Sequence, residues 1–236
     1  MDQTRPMTSR AARDFRAGCR DIAPAAVAAI PIGLLFGAVA TGKGLSAFEV
    51  TLMSILVFGG GAQFAAIETW VHPAPIAALA FTALLINARH ILMGASLGPK
   101  LQASRAQKLL GFWFLTDEAW AVAEHRSLHR PVTAAYWFGM VAVLPIAWIG
   151  STAVGAVVGP FLGDPRRLGA DFAFTALFIG LIAGFGTGKV TLITTAVSAA
   201  VAALVHTLVG APWHVASGAL AGIAAAYLAS PPEGRT

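Results

Sequence analysis

Charge is what this sequence has least of. Only 11% of its 236 residues are charged, against 57% hydrophobic, which leaves too few polar side chains to cover a water-soluble domain. Cysteine is nearly absent as well: Cys19 alone excludes an intramolecular disulfide framework and a multi-cysteine metal site. No Gly-Lys-Ser/Thr follows a glycine run, so a phosphate-binding loop is missing. The His-Glu-x-x-His pattern of zinc proteases is missing too. His72, His125, His129, His206 and His214 show no metal-ligand spacing on a shared helix face, so neither metal nor other cofactor is expected.

What is present is long apolar sequence, with a mean hydropathy of +0.72. No charged residue falls between Asp21 and Lys43, Glu49 and Glu68, Glu68 and Arg89, or Arg130 and Asp164. Each gap holds a membrane span of roughly 20 residues. Further spans fit at 172–185, 190–209 and 213–228. The runs do not alternate in polarity as barrel strands would. Helices, which satisfy their own backbone in hydrocarbon, are therefore expected throughout. The fold class is all-α: a polytopic membrane protein with six to eight helical elements, some broken or re-entrant.

The pI near 10.0 does not signal nucleic acid. Five of the sixteen basic residues, Arg5, Arg10, Arg13, Arg16 and Arg20, precede the first apolar run, which is the positive-inside pattern. Residues 1–21 are read as a cytoplasmic tail, 22–229 as the transmembrane domain and 230–236 as a short polar tail. Ala38-Val39-Ala40 has the look of a signal cleavage site, but Pro24 and Pro31 interrupt the apolar run before it. Trp70, Trp137 and Trp213 fall near span ends, as an aromatic belt would.

Three breaks in the apolar runs carry the chemistry. Gly59-Gly60-Gly61 interrupts the run 48–70 and frees its backbone from helical geometry, with Gln63 following as a neutral donor and acceptor. Close helix packing is the alternative use of such glycines. Asn87, Arg89 and His90 interrupt the run 74–97; Arg89 offers a planar fork for a carboxylate, or snorkels to headgroups. His90 is a group that could titrate in a proton-coupled cycle. Asp117 and Glu118 lie in a short segment from Gly111 to Glu124, where ionisable groups in lipid are expected to face a partner or a cavity. Arg89 and one of these acids are expected in one polar interior. Glu68 reads as an interfacial acid. Three full crossings from a cytoplasmic tail would put Lys100, Arg105 and Lys108 outside, against the charge rule; a re-entrant element among the first runs resolves the conflict. Ala40-Thr41-Gly42-Lys43 and Gly186-Thr187-Gly188-Lys189 are a faint internal echo that leaves a structural repeat open.

Ala62-Gln63-Phe64 after a glycine cluster, Arg89-His90 with Leu92 and Gly94, then Leu115-Thr116-Asp117-Glu118 together resemble the AzlC family of branched-chain amino acid permeases, over most of the chain. That resemblance implies a secondary exporter of valine, leucine, isoleucine or methionine in the bacterial inner membrane, not an enzyme. It also implies a small hydrophobic AzlD-type subunit as partner. The substrate site would comprise Gly59, Gly60, Gly61, Gln63, Asn87 and Arg89, with His90, Asp117 and Glu118 in proton coupling or ion pairing. Amino-acid substrate, membrane lipid and, left open, a second copy complete the expected partners; nucleic acid is not among them. The competing readings are an intramembrane enzyme, the membrane subunit of an ABC-type importer, and a non-transporting scaffold. A neighbouring ATPase gene would favour the importer.

The glycine break generates a direct test. Gly60→Leu, which fills space and favours continuous helix, is expected to abolish transport while the protein still inserts and accumulates. Normal transport by this variant would return the glycines to a packing role.

Overall fold

The computed structural model describes residues 7–71, 73–161, 188–210 and 213–230, with 179, 182 and 183. The expected span at 172–185 and His72 fall largely or wholly outside them. Helix α1 runs Met7–Gly42, and its 36 residues extend about 54 Å at 1.5 Å per residue. That exceeds a hydrocarbon core of about 30 Å, so Arg10, Arg13, Arg16 and Arg20 continue the helix beyond the lipid. Pro24 and Pro31 sit inside it, as tolerated in membrane helices when neighbours cover the freed carbonyls.

The partner of α1 is α8 (Ala134–Val158). Gly18 lies against Tyr136, Gly33 against Ser151, Gly37 against Thr152 and Gly155 against Leu34; a Cβ at these glycines would come within 2.1, 2.0, 2.2 and 2.1 Å of the facing helix. The partners advance together along both chains, so the two helices are parallel, and small residues bring their backbones into contact where lipid supplies no hydrophobic drive. Cys19 belongs to this seam, its thiol donating to Gly139 O at 3.4 Å.

Two helical hairpins fill the space beside the pair. The first joins α2 (Ala47–Leu56) to α3 (Gly60–Glu68). Gln63 Nε2 donates to Ser54 Oγ at 3.0 Å, which a continuous helix would hold more than two turns apart; the chain therefore reverses at residues 57–59. Arms of ten and nine residues reach about 15 Å each, half the hydrocarbon thickness. Ile67 clusters with Ala40 and Leu45 at the C-terminal end of α1, so this hairpin enters and leaves on the same side.

The second hairpin corrects the expectation of one segment from Gly111 to Glu124. That stretch is divided between α6 (Arg105–Phe112) and α7 (Asp117–Ser127), joined through residues 113–116. Arg126 contacts Asp14 at 3.4 Å and Thr133 donates to the same carboxylate at 2.9 Å, placing this hairpin's base at the N-terminal end of α1. The strands β1 (Leu101–Gln102) and β2 (Val132–Thr133) pair in parallel there, and Lys100 meets Glu124. Between the hairpins, α4 (Ile76–Asn87) and α5 (Arg89–Leu97) form one crossing. Ala88 keeps helical angles of φ −55° and ψ −28° and bonds back to Leu84 O at 2.9 Å. The interruption expected at 87–90 is thus a shallow step, not a break.

Two halves of like order and opposite orientation follow. In each, a crossing leads to a serine-capped arm, an aromatic tip and a returning arm: α1 to α3, then α4 to α7. Ser46 with Glu49 and Ser104 with Gln107 form matching capping boxes, and Phe58 meets Phe114 tip to tip at 5.5 Å. This is inverted-repeat topology, located elsewhere than the echo at 40–43 and 186–189. Trp137 is another correction: it is fully buried in the core against Phe112, not at an interface. Helices α9 (Lys189–Leu208) and α10 (Trp213–Ala229) form a further hairpin, held by Ser198 donating to Gly218 O at 2.8 Å. It meets the rest through Trp213 on Phe81. The molecule is a multi-pass, nearly all-helical membrane protein; four helical stretches among the described residues are long and apolar enough to cross.

Lys100, Arg105 and Lys108 thus share an end with the arginines of α1, and the positive-inside rule assigns that end to the cytoplasm. Reporter fusions at Arg10 and at Arg105 are both expected to read cytoplasmic. An Arg105 fusion that reads external would mean that the first hairpin crosses the membrane.

Candidate functional site

The two tips meet beside α1 and α8, and a cavity of about 220 Å³ opens there. Its polar lining comes from the tips and from α5: Gly59, Gly60 and Gly61, Arg89 and His90, Thr116, Asp117 and Glu118. Its apolar lining comes from one face of α1 (Ala25, Ala28, Ala29, Ile32) with Phe58, Leu144 and Trp148.

Each polar group is placed by local chemistry. Phe58 has φ +28°, a left-handed conformation that costs a non-glycine residue about 1–3 kcal/mol, and it turns the chain into Gly59. Helix α3 then begins at Gly60 with no side-chain cap, so its first amides are left to whatever occupies the cavity. Gly60 faces Trp148, whose ring would lie 3.0 Å from an added Cβ. In the other tip, Thr116 caps α7 by accepting from Ala119 N at 3.2 Å, and Asp117 and Glu118 occupy the first turn, where the helix dipole favours acids.

Arg89 and Asp117 are brought together, Nη1 to Oδ2 at 2.9 Å. The guanidinium is only partly used, because Arg89 Nε is buried with no hydrogen-bond partner. Asn87 Oδ1 is likewise buried and unpartnered, and would lie 3.4 Å from a Cβ on Gly59. Glu118 lines the cavity with no hydrogen bond or ion pair among the described residues. His90 ties the second tip to its own crossing, Nδ1 at 2.9 Å from Asn87 O and Nε2 at 3.0 Å from Leu115 O. Both partners can only accept, so a neutral ring donates to one and a protonated ring to both.

Gln63 stands apart from this set. It is fully buried behind Trp148, with both ends of its amide engaged: Nε2 on Ser54 Oγ, and Oε1 accepting from Trp148 Nε1 at 3.0 Å. It does not line the cavity. The apolar wall, with Trp148 above all, was not singled out from the sequence. Helical spacing of small residues in α1 is the one signal that could have pointed to it, and lipid-facing stretches share that signal.

Ser96 needs comment, since Gly94-Ala95-Ser96-Leu97-Gly98 has the spacing of a hydrolase nucleophile elbow. It lies inside α5, donates to Glu124 and accepts from Trp120 Nε1, with no histidine contact among the described residues. That geometry does not build a nucleophile. His206 packs its ring on His214 at 4.9 Å. Among the described residues no three histidines, cysteines or acids are grouped to hold a metal.

A family model described as "AzlC protein" matches residues 24–162, which includes both hairpins and the cavity. The Escherichia coli inner membrane protein YgaZ is 27% identical over 83% of each chain. An uncharacterized membrane protein of Archaeoglobus fulgidus is 31% identical over 92% of each. The branched-chain amino acid transport protein AzlC of Bacillus subtilis is 28% identical over 63% of this chain and 58% of its own length. No solved structure gives a significant match.

The contact between Arg89 and Asp117 can be measured. Arg89→Lys keeps charge but loses the planar fork; Asp117→Asn keeps shape but loses charge. Both single variants are expected to lower the melting temperature in detergent and to impair transport. In the double variant the losses should overlap, with a coupling of about 1 kcal/mol or more. Additive losses would show that the two side chains do not act as a pair.

Proposed function

This chain belongs to the AzlC family of transport-associated membrane proteins, and we propose that it is the large subunit of a secondary exporter of branched-chain amino acids, and of methionine, in the bacterial inner membrane. The observation that carries this reading is the mixed lining of the cavity. Its polar part offers a buried, unpartnered Nε–H of Arg89 and uncapped amides of α3, which suit a carboxylate. The unpaired Glu118 carboxylate suits an ammonium group. The rest of the lining is apolar, formed by Ala25, Ala28, Ile32, Leu144 and Trp148. A small zwitterion with an aliphatic side chain matches both kinds of lining; a sugar or a multiply charged solute leaves one kind unmatched.

The same cavity lies where the backbones of two hairpins are open, at mid-depth, as in transporters built from inverted repeats. Arg89 is read as alternating between the substrate carboxylate and Asp117, and Gly59 to Gly61 as supplying backbone groups. Asn87 Oδ1 serves as an acceptor beside them. His90 couples the cycle to protons, because its protonated ring holds both Asn87 O and Leu115 O while its neutral ring releases one of them. No catalytic role is assigned to any of these residues. The small AzlD-type subunit is the proposed partner. Helix α9, whose most apolar window has none of its residues buried, offers it a surface.

The test is export from dipeptide-fed cells expressing the chain, the small subunit, or both. Valine, leucine, isoleucine and methionine are expected to accumulate outside several-fold faster with both, and a protonophore should remove the difference. Equal export with and without the pair would sink the substrate assignment.

A further inference from the structure

We infer that Gln63 is a positioning residue that holds Trp148 across the cavity as its outer gate, so that breaking the Gln63–Trp148 hydrogen bond exposes the site to the side away from the cytoplasm. This rests on the chain being a transporter but not on which substrate it carries.

The argument begins with what closes the cavity. On its outer side, Trp148 stacks on Phe36 with ring centroids 6.3 Å apart, and Phe36 meets Phe64 edge-on at 5.2 Å. These rings come from α8, α1 and α3, three elements with no covalent reason to stay together. Phe36 is fully buried and Trp148 and Phe64 nearly so, and of the residues that α8 gives to the cavity lining Trp148 is the one farther along the helix. Towards the basic end the layout differs. The cavity faces of α1 and α7 continue into a second hollow of about 620 Å³, lined by Asp21, Ala121, Val122, His125, His129 and Arg130 among others. Asp21, Ala25 and Ala28 follow one another at helical spacing on α1, as do Glu118, Val122 and His125 on α7. The structure thus has an aromatic layer on one side of the cavity and a polar hollow on the other.

Aromatic contacts alone slide readily, whereas a hydrogen bond in a dry interior has one geometry. Gln63 supplies it: the amide donates to Ser54 on α2 and accepts from Trp148 on α8. It therefore ties both arms of the first hairpin to the crossing that carries the gate. Only a side chain with donor and acceptor ends does both at once. Leucine would fill the space and leave the tryptophan N–H buried and unpaired. Because the second hairpin enters from the opposite side, movement of the first hairpin away from α8 opens the outer face without disturbing the inner one.

Accessibility of the cavity from each side tests this directly. With the lone cysteine replaced, Cys19→Ala, a reporter Ala28→Cys is treated with a membrane-impermeant maleimide, outside in intact cells and from the cytoplasmic side in inside-out vesicles. The expected parent pattern is cytoplasmic labelling with little from outside. Gln63→Leu or Trp148→Phe, the latter keeping an aromatic ring but losing the five-membered ring with its N–H, should raise outside labelling about two- to tenfold, the range of one hydrogen bond's net worth. The two together should add little more than either. If Gln63→Leu fails to accumulate, Gln63→Met, close to glutamine in length and without its amide, takes its place. Outside labelling that is high in the parent, or unchanged by the substitutions, overturns the gate. A merely structural bond would lower yield and melting temperature without changing the side from which the reporter is reached. Failure of the export assay with this labelling pattern intact would leave the gate standing and remove only the substrate.

Discussion

Two hairpin turns that meet inside the membrane govern this molecule. In hydrocarbon an unpaired N–H or C=O costs several kcal/mol, so a turn there has to be covered by protein. Phe58, Gly59 and Leu115 are buried at the two turns, while the side chains of Val57 and Trp113 stay exposed. The tips touch through Phe58 and Phe114, and His90 reaches across to the carbonyl of Leu115. What keeps lipid away is the α1–α8 pair, whose glycine contacts draw two long helices close enough to form a wall. The cavity is the space that such an arrangement cannot fill: backbone groups need partners there, and small alanines on α1 leave room for them.

The charges follow the same logic. Arg89, Asp117 and Glu118 would each be expensive in lipid, and all three collect in the one place where polar groups are already obligatory. Arg89 and Asp117 offset one another at 2.9 Å, while Glu118 does not share that contact. A fully compensated set would be a structural knot. An excess donor on Arg89 and an excess acid on Glu118 make the arrangement receptive instead, since a ligand bearing both charges completes it. At the basic end, by contrast, the acids are consumed: Asp14 by Arg126 and Thr133, Glu124 by Lys100.

How much of this was legible depends on whether chemistry or only geometry encodes it. The long crossings could be read from charge spacing, because a helix in lipid must exclude charge along its whole length; α8 lies wholly inside the charge-free gap between Arg130 and Asp164. The first hairpin was signalled by three glycines and by the wrong-sided basic loop that a simple count produced. The second escaped notice because neither glycine nor proline marks its turn. Its signal is a capping one, Thr116 followed by two acids in a helix's first turn, and the same two acids read equally as loop-end or functional carboxylates. Gln63 illustrates the opposite error: a lone amide beside a glycine break reads as a ligand group. Which way it points depends on Ser54 and Trp148, the latter 85 positions away. Hydropathy could not separate the cavity wall from lipid-facing alanines, because both are small and apolar.

The two halves share an architecture but not a chemistry, and that difference is what a transport cycle requires. If both tips were held alike, the inward and outward arrangements would be near mirror images of equal energy, and no ligand could favour one over the other without differential contacts. Here the first tip is secured to α8 by a neutral hydrogen bond through Gln63, which responds to neither charge nor pH. The second is secured to α5 by an ion pair at Arg89 and by an imidazole at His90, both made by side chains that line the cavity. In the proposed cycle a ligand in the cavity acts on the second tip directly, and reaches the first only through the tip contact and the wall at Trp148. Under the proposed cycle the charged half senses occupancy and the neutral half keeps the outer face shut until the sensing half has moved. The repeat supplies two orientations, and the unlike anchors at Gln63 and His90 make the choice between them depend on what is bound.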